Sequence, residues 1–238
     1  MGAGLTASLL VLLTALSYAV GWAIAIPALV PWLNTLASFP FMVAALRRGQ
    51  VRLAIARMLL WALTLAVCAT LLSYFAPART DVLFLRGASY RTEMFAWVLT
   101  GQGAESTPSL FLPQQAMHTS IFVLLALGSG SVLAMPMGAV LMNYMGHYVG
   151  SLAAASARPA LTMALGWHPW AIIRIASFVT LGVVLSTPLL GRLARFTIDR
   201  SALRAPLIWA CAGLGADVVM KWLLAPAWQR LLLRVVGW

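Results

Sequence analysis

Asp217 and Lys221 lie one helical turn apart in the stretch "GADVVMKW", where almost every neighbour is apolar. A carboxylate and an ammonium at i and i+4 share one face of a helix, and the acid on the N-terminal side is the better orientation. An isolated charge near the middle of a membrane span costs about 2.5–3.5 kcal/mol on insertion scales. The two side chains are therefore expected to neutralise one another as an intrahelical ion pair facing protein or water. Such a pair is either a self-satisfied structural element or part of a solute or ion path. The neighbouring "GLGAD" carries one residue too many for the G-x-G-D motif of intramembrane aspartyl proteases. Asp81 and Asp199 also fall in loops, so the two proton-sharing carboxylates that this chemistry needs are not at hand.

A second concentration of reactive types is "LGSGSVLAMPMGAVLMNYMGHYVG". Gly128, Gly130, Gly138, Gly146 and Gly150 thin this helix, and small residues allow close helix contacts in lipid. Pro136 is expected to kink it and free a carbonyl. Asn143, Tyr144 and His147 add polar groups that could line a solute path. Met142 and Met145 beside His147 form a soft donor set for a metal such as copper, although methionine is commonly a gap-filler. His118, His147 and His168 do not fall at one depth, so paired axial haem ligands are not expected. No cofactor is assigned. Glu93 and Glu105, in a polar loop, are expected to be solvated or to pair with Arg86 and Arg91 at a surface. No G-x-S-x-G, H-E-x-x-H or Walker A pattern is present, and no catalytic residue or enzyme activity is assigned.

The elements that must position these residues are membrane helices. Of 238 residues, 62% are hydrophobic and only 9% charged, against about 25% charged in soluble domains. The apolar runs reach the roughly 20 residues that one crossing needs. The fold class is an all-α polytopic transmembrane bundle forming a single domain. Spans are expected over 5–25, 30–46, 58–76, 119–142, 144–167 (weak or re-entrant), 169–190 and 206–225. An outside loop covers 77–118, and "SYRTEMFAWVL" within it has the spacing of a short amphipathic surface helix. The tail "WQRLLLRVVGW" is basic and amphipathic. Cys68 and Cys211 fall inside spans and read as small hydrophobes.

The net charge of +11 is not a nucleic-acid footprint, because the arginines bracket apolar runs as topology signals do. "RRGQVRLAIAR" and "RLARFTIDRSALR" are the strongest inside signals. Seven spans keep both on one side and six do not, so about seven is preferred, with a cytoplasmic N-terminus. Arginine, alanine and leucine richness suits a GC-rich bacterium and its inner membrane. The function expected is that of a transport component, a small permease or a membrane subunit of a multi-subunit transporter. The alternative is a non-catalytic accessory subunit packed against a larger membrane complex, and an intramembrane enzyme ranks third. The partners expected are the lipid bilayer and either further copies of the chain or partner membrane subunits.

Overall fold

The computed structural model describes residues 2–238, which form eleven helices and no strand. Helix α1 (Ala3–Ile24) stops where Ala25 turns left-handed, at φ 56°. The stretch 30–46, expected as one span, is instead α2 (Val30–Leu36) and α3 (Phe39–Leu46). Pro40 is the reason: it lacks a backbone donor and crowds the preceding turn, so the chain breaks at Ala37 and Ser38. Helix α4 (Val51–Phe75) starts already within the arginine-rich segment.

The polar stretch after α4 is shorter and more ordered than a 77–118 loop. It folds into α5 (Pro77–Leu83) and α6 (Gly87–Thr100), and α7 (Pro108–Ser129) begins well before residue 119. Helix α6 is the expected amphipathic one, with Met94, Trp97 and Val98 buried and Thr92, Glu93 and Leu99 exposed. It packs on α8 (Ala134–Ala154) and on α11 (Arg200–Val236).

Two further boundaries correct the sequence reading. The glycine-rich helix is not one kinked helix, because Gly130 and Ser131 both adopt positive φ and end α7 there. Pro136 therefore sits in the first turn of α8, where a missing N–H is harmless. No helix covers 144–167: α8 runs to Ala154, and "SARPA" separates it from the short α9 (Pro159–Gly166). Helix α10 (Pro169–Leu193) follows as expected. The last span and the tail are a single helix, α11, started by Asp199, whose carboxylate accepts from the Ser201 N–H at 3.0 Å.

Most of α1, together with α4, α7, α10 and α11, makes five helices long and apolar enough to cross a membrane. Their outward faces are apolar, as Leu63 (61% exposed), Leu124 (69%) and Trp209 (76%) illustrate. Solvating such faces in water is unfavourable, and the chain is a helical membrane protein by this criterion.

The tightest seam is α4 against α8. A Cβ at Gly150 would run into Thr70 O and meet Ser73 Cβ at 2.8 Å and Tyr74 N at 2.9 Å, and one at Gly146 would strike Ala69. The two helices run parallel, since the C-terminal half of each lies on the other. One end of the bundle thus gathers α5, α6, the loop 101–107 and α9, and is called here the loop end. The opposite end gathers the turns at 47–50, 130–133 and 194–199, and is called the basic end after its arginines.

Candidate functional site

Between α4, α7, α8 and α10 lies a cavity of about 690 Å³, capped at the loop end by α6 and Glu105. Its walls follow α10 from Ala171 to Val183 and α8 from Ala134 to Met145, a rise of about 17 Å at 1.5 Å per residue. That is more than half of a hydrocarbon core of about 30 Å. The lining is graded. Arg86, Glu93, Glu105, Arg174 and Lys221 contribute charge toward the loop end, while Met42, Met58, Trp61, Met135 and Phe178 make the deeper wall apolar.

Asp217 and Lys221 are both buried in α11, but they do not pair with each other. Lys221 Nζ reaches across to Glu105 Oε1 at 3.1 Å and lies 4.8 Å from the centroid of the Phe111 ring. Glu105 Oε2 accepts from Trp170 Nε1 at 3.1 Å. The i,i+4 pair is displaced because a loop carboxylate arrives with better geometry and a second donor. Burial pushes the Glu105 carboxyl up, yet the positive charges of Lys221, Arg174 and His168 outweigh it and hold it at about 2. Glu105 is therefore neither solvated nor bound to Arg86 or Arg91, as its place in a polar loop suggested.

The loop that delivers Glu105 is pinned from several sides. Trp97 Nε1 donates to Ser106 Oγ at 2.5 Å, and Gln229 Nε2 donates to Val98 O at 2.5 Å. His168 stacks on Trp170 with centroids 4.7 Å apart, and Trp97 meets the same imidazole edge-on at 5.2 Å. Gly101 and Gly103, both at positive φ, let the backbone turn inward here.

Asp217 finds different partners. Gln115 Nε2 donates to its Oδ2, and Arg174 Nε stands 4.0 Å from the same oxygen. Asp217 Oδ1 and Gln115 Oε1 are buried without a hydrogen-bond partner among the described residues. Gln115 and Arg174 both line the cavity. Lys221–Glu105 is thus a closed ion pair and Arg174–Asp217 a loose one.

The other expected site residues divide. Tyr144 lines the cavity and stacks on Tyr90 at 4.9 Å, with an interplanar angle of 18°. Met142 and Met145 line it too, and Tyr90 OH lies 3.4 Å from Met145 Sδ. Asn143 does not line it. Its amide joins α1, α2 and α8, accepting from Tyr18 OH at 2.5 Å and donating to Asn34 Oδ1 at 3.2 Å, with Asn34 Nδ2 donating on to Ser17 Oγ at 2.8 Å.

His147 is also turned away from the cavity. Its Nε2 is 2.8 Å from Asp81 Oδ1 and its Nδ1 is 3.0 Å from Ser73 Oγ, while Asp81 also binds Arg91 at 2.8 Å. The order Ser–His–Asp is that of a hydrolase triad, but Ser73 and His147 are fully buried and neither meets the cavity. This network ties α4, α5, α6 and α8 together. Both ring nitrogens of His147 are engaged, so it does not converge with Met142 and Met145 as a donor set. No group of three His, Cys, Asp or Glu able to hold a metal occurs among the described residues.

The packing glycines divide as well. Gly146 and Gly150 make the α4 seam, and Gly130 serves as the left-handed cap of α7 beside Leu190. Gly128 and Gly138 face open space, so they are not contact glycines, and Gly138 lines the cavity instead. Arg174 and Gln115 are the site residues that sequence reasoning missed, while Glu105 was noticed but given the wrong partners. The available signal was Arg174, a charge in the second turn of a largely apolar helix.

Comparison with protein-family models, with curated proteins and with solved structures finds no match to this chain.

Proposed function

We propose that this chain is a membrane transport component, a small permease or the solute-binding membrane subunit of a larger transporter. The observation that carries the reading is the cavity: a partly open, graded chamber whose walls extend over more than half of the thickness of a hydrocarbon core. A protein that serves only to pack against partners has no need of a chamber holding charged groups away from lipid, which is costly.

Seven crossings fit this reading. The five long helices count as five, the broken α2–α3 pair passes from loop end to basic end as a sixth, and α8 returns as a seventh. Helix α8 falls short on apolarity because Asn143, His147 and Ser151 are spent on contacts with its neighbours. Arg47, Arg48, Arg52, Arg192, Arg195, Arg200 and Arg204 gather at the basic end with Asp199 as the only acid. The positive-inside bias then makes that end cytoplasmic, together with the N-terminus, in a bacterial inner membrane. Transport draws on an ion gradient or a partner chain.

Cysteine accessibility tests the reading. In a Cys68→Ala, Cys211→Ser background, Ser89→Cys and Gln114→Cys probe the loop end of the chamber and Met135→Cys its deep wall. A permease predicts that a charged, membrane-impermeant thiol reagent reaches the first two from the loop side. It also predicts that Met135→Cys is reached from both sides, each in a fraction of molecules. Cysteines inert from both sides overturn the chamber, and strict access from one side favours the accessory-subunit alternative.

A further inference from the structure

The loose pair, with Arg174 in the cavity wall and Asp217 buried behind it, points to the chemistry of the solute. Arg174 presents a guanidinium to the chamber, and its nearest acidic atom, Asp217 Oδ2, is 4.0 Å from Nε. Its terminal nitrogens make no hydrogen bond to protein among the described residues. A planar fork of donors is suited to a carboxylate, phosphate or sulfonate. Lys221 cannot compete for that role, because Glu105 and the Phe111 face already hold it. Deeper along the same cavity the wall is methionine and aromatic, a surface for an apolar body and one that adapts its shape.

We infer that the chamber binds an amphiphilic monoanion whose acidic head is held by Arg174, and that a proton on Asp217 accompanies it. The inference rests on the chamber reading above. Asp217 and the ligand head are rivals for one guanidinium. When the anion takes Arg174, Asp217 Oδ1, the oxygen without a partner, accepts a proton and an O–H bond forms there. Gln115 keeps its hydrogen bond to Oδ2. One negative charge enters with one proton, so the buried charge is unchanged and nothing is oxidised or reduced.

The charged and titratable groups around Asp217 are Arg174 from α10, Lys221 one turn along α11, and Glu105 from the loop. Helix α7 adds His118 near Arg174, α6 adds Tyr90 and, at the rim, Glu93, the turn before α10 adds His168 beside Glu105, and α9 carries no charged residue. Lys221 and Glu105 cancel one another, which leaves Asp217 as the group whose charge decides whether Arg174 is free.

Decanesulfonate, an anion at every working pH, and decyltrimethylammonium, its cationic counterpart, test this on the full chain in lipid nanodiscs. The readout is protection of Met135→Cys, taken as the ratio of labelling rates with and without probe at the same pH. Decanesulfonate is expected to protect about tenfold better than the cation, and to gain about tenfold as pH falls from 8 to 5.5. Asp217→Asn should bind it tightly at both pH values, and Arg174→Gln should lose about tenfold or more. Equal protection by the cation, no protection by either probe, or a pH-insensitive native protein overturns the inference. So does a full pH response surviving in Asp217→Asn, which assigns the effect to another group such as His118 or His168. The comparison of anion with cation needs no Arg174 or Asp217 variant, so misfolding of either leaves it decisive. If the cysteine is inert without probe, the chamber itself fails, a different result from binding the wrong class.

Discussion

Glu105 and Lys221 carry the sharpest expectation at the residue scale. Removing one member of a buried ion pair leaves an uncompensated charge, at a cost of roughly 3–5 kcal/mol. Glu105→Gln or Lys221→Met alone should therefore lower the thermal midpoint strongly, and the double variant should recover most of the loss. Equal midpoints for the singles and the double would remove the pair from the fold. Acid adds a second arm. The folded carboxyl of Glu105 sits at about 2, below the roughly 4.3 of an unfolded glutamate. Its contribution is full above the unfolded value and is lost as pH falls from there toward 2. The native protein should lose stability across that window, and Glu105→Gln should show a flatter acid limb. What was legible here was the need: a lone lysine in lipid requires a partner. Which acid met it was not, because Asp217 was nearer in sequence and Glu105 nearer in space.

Helix contacts hold predictions of their own. Gly150→Ala forces a methyl into the backbone of α4 at Thr70 and Tyr74, and overpacking of this kind costs about 1–3 kcal/mol. Gly128→Ala meets open space in the last turn of α7 and should be neutral or stabilising by a fraction of the ~1 kcal/mol that separates the two residues in a helix interior, since alanine is the better helix former. Thermal unfolding of the two variants side by side decides whether the glycines act by contact or only by softening their helices. Composition alone could not separate them, because every glycine reads the same until its neighbour is known. Element boundaries followed a similar logic. Prolines open α2, α3, α5, α7, α9 and α10, as their fixed φ favours. The break at Gly130 was hidden, because glycine permits a left-handed turn without demanding one.

For the whole molecule, the seven crossings we propose would place Trp238 on the opposite side from residue 2. A reporter that is active only outside the cytoplasm, fused after Trp238, should be active, and one fused within 47–50 or 194–199 should be silent. Activity at 194–199 would reverse the last hairpin and remove the cytoplasmic basic end. This arrangement also explains why α11 is so long. Its N-terminal turns stand among the arginines of the basic end, while its C-terminal turns reach Val98 and Ala157 in the cap of the loop end.

The sequence by itself determined that this chain is helical and belongs in a membrane. Apolar runs of that length, with so few charges, have no other low-energy arrangement once every backbone polar group must be satisfied internally. It also determined that the charges within those runs must meet protein or water. Only the tertiary structure decided which of them meet. Partner choice among Glu105, Arg174, Asp217 and Lys221 depends on the depth and rotation of α10 and α11 and on a loop folded inward. Those are set by close packing of α11 on α10 at Gly213 and Ser177, of α10 on α7 at Gly182 and Phe122, and by the stacked aromatics under the cap. None of these leaves a periodic mark on the chain. The same packing separates the closed pair, Lys221 with Glu105, from the loose one, Arg174 with Asp217.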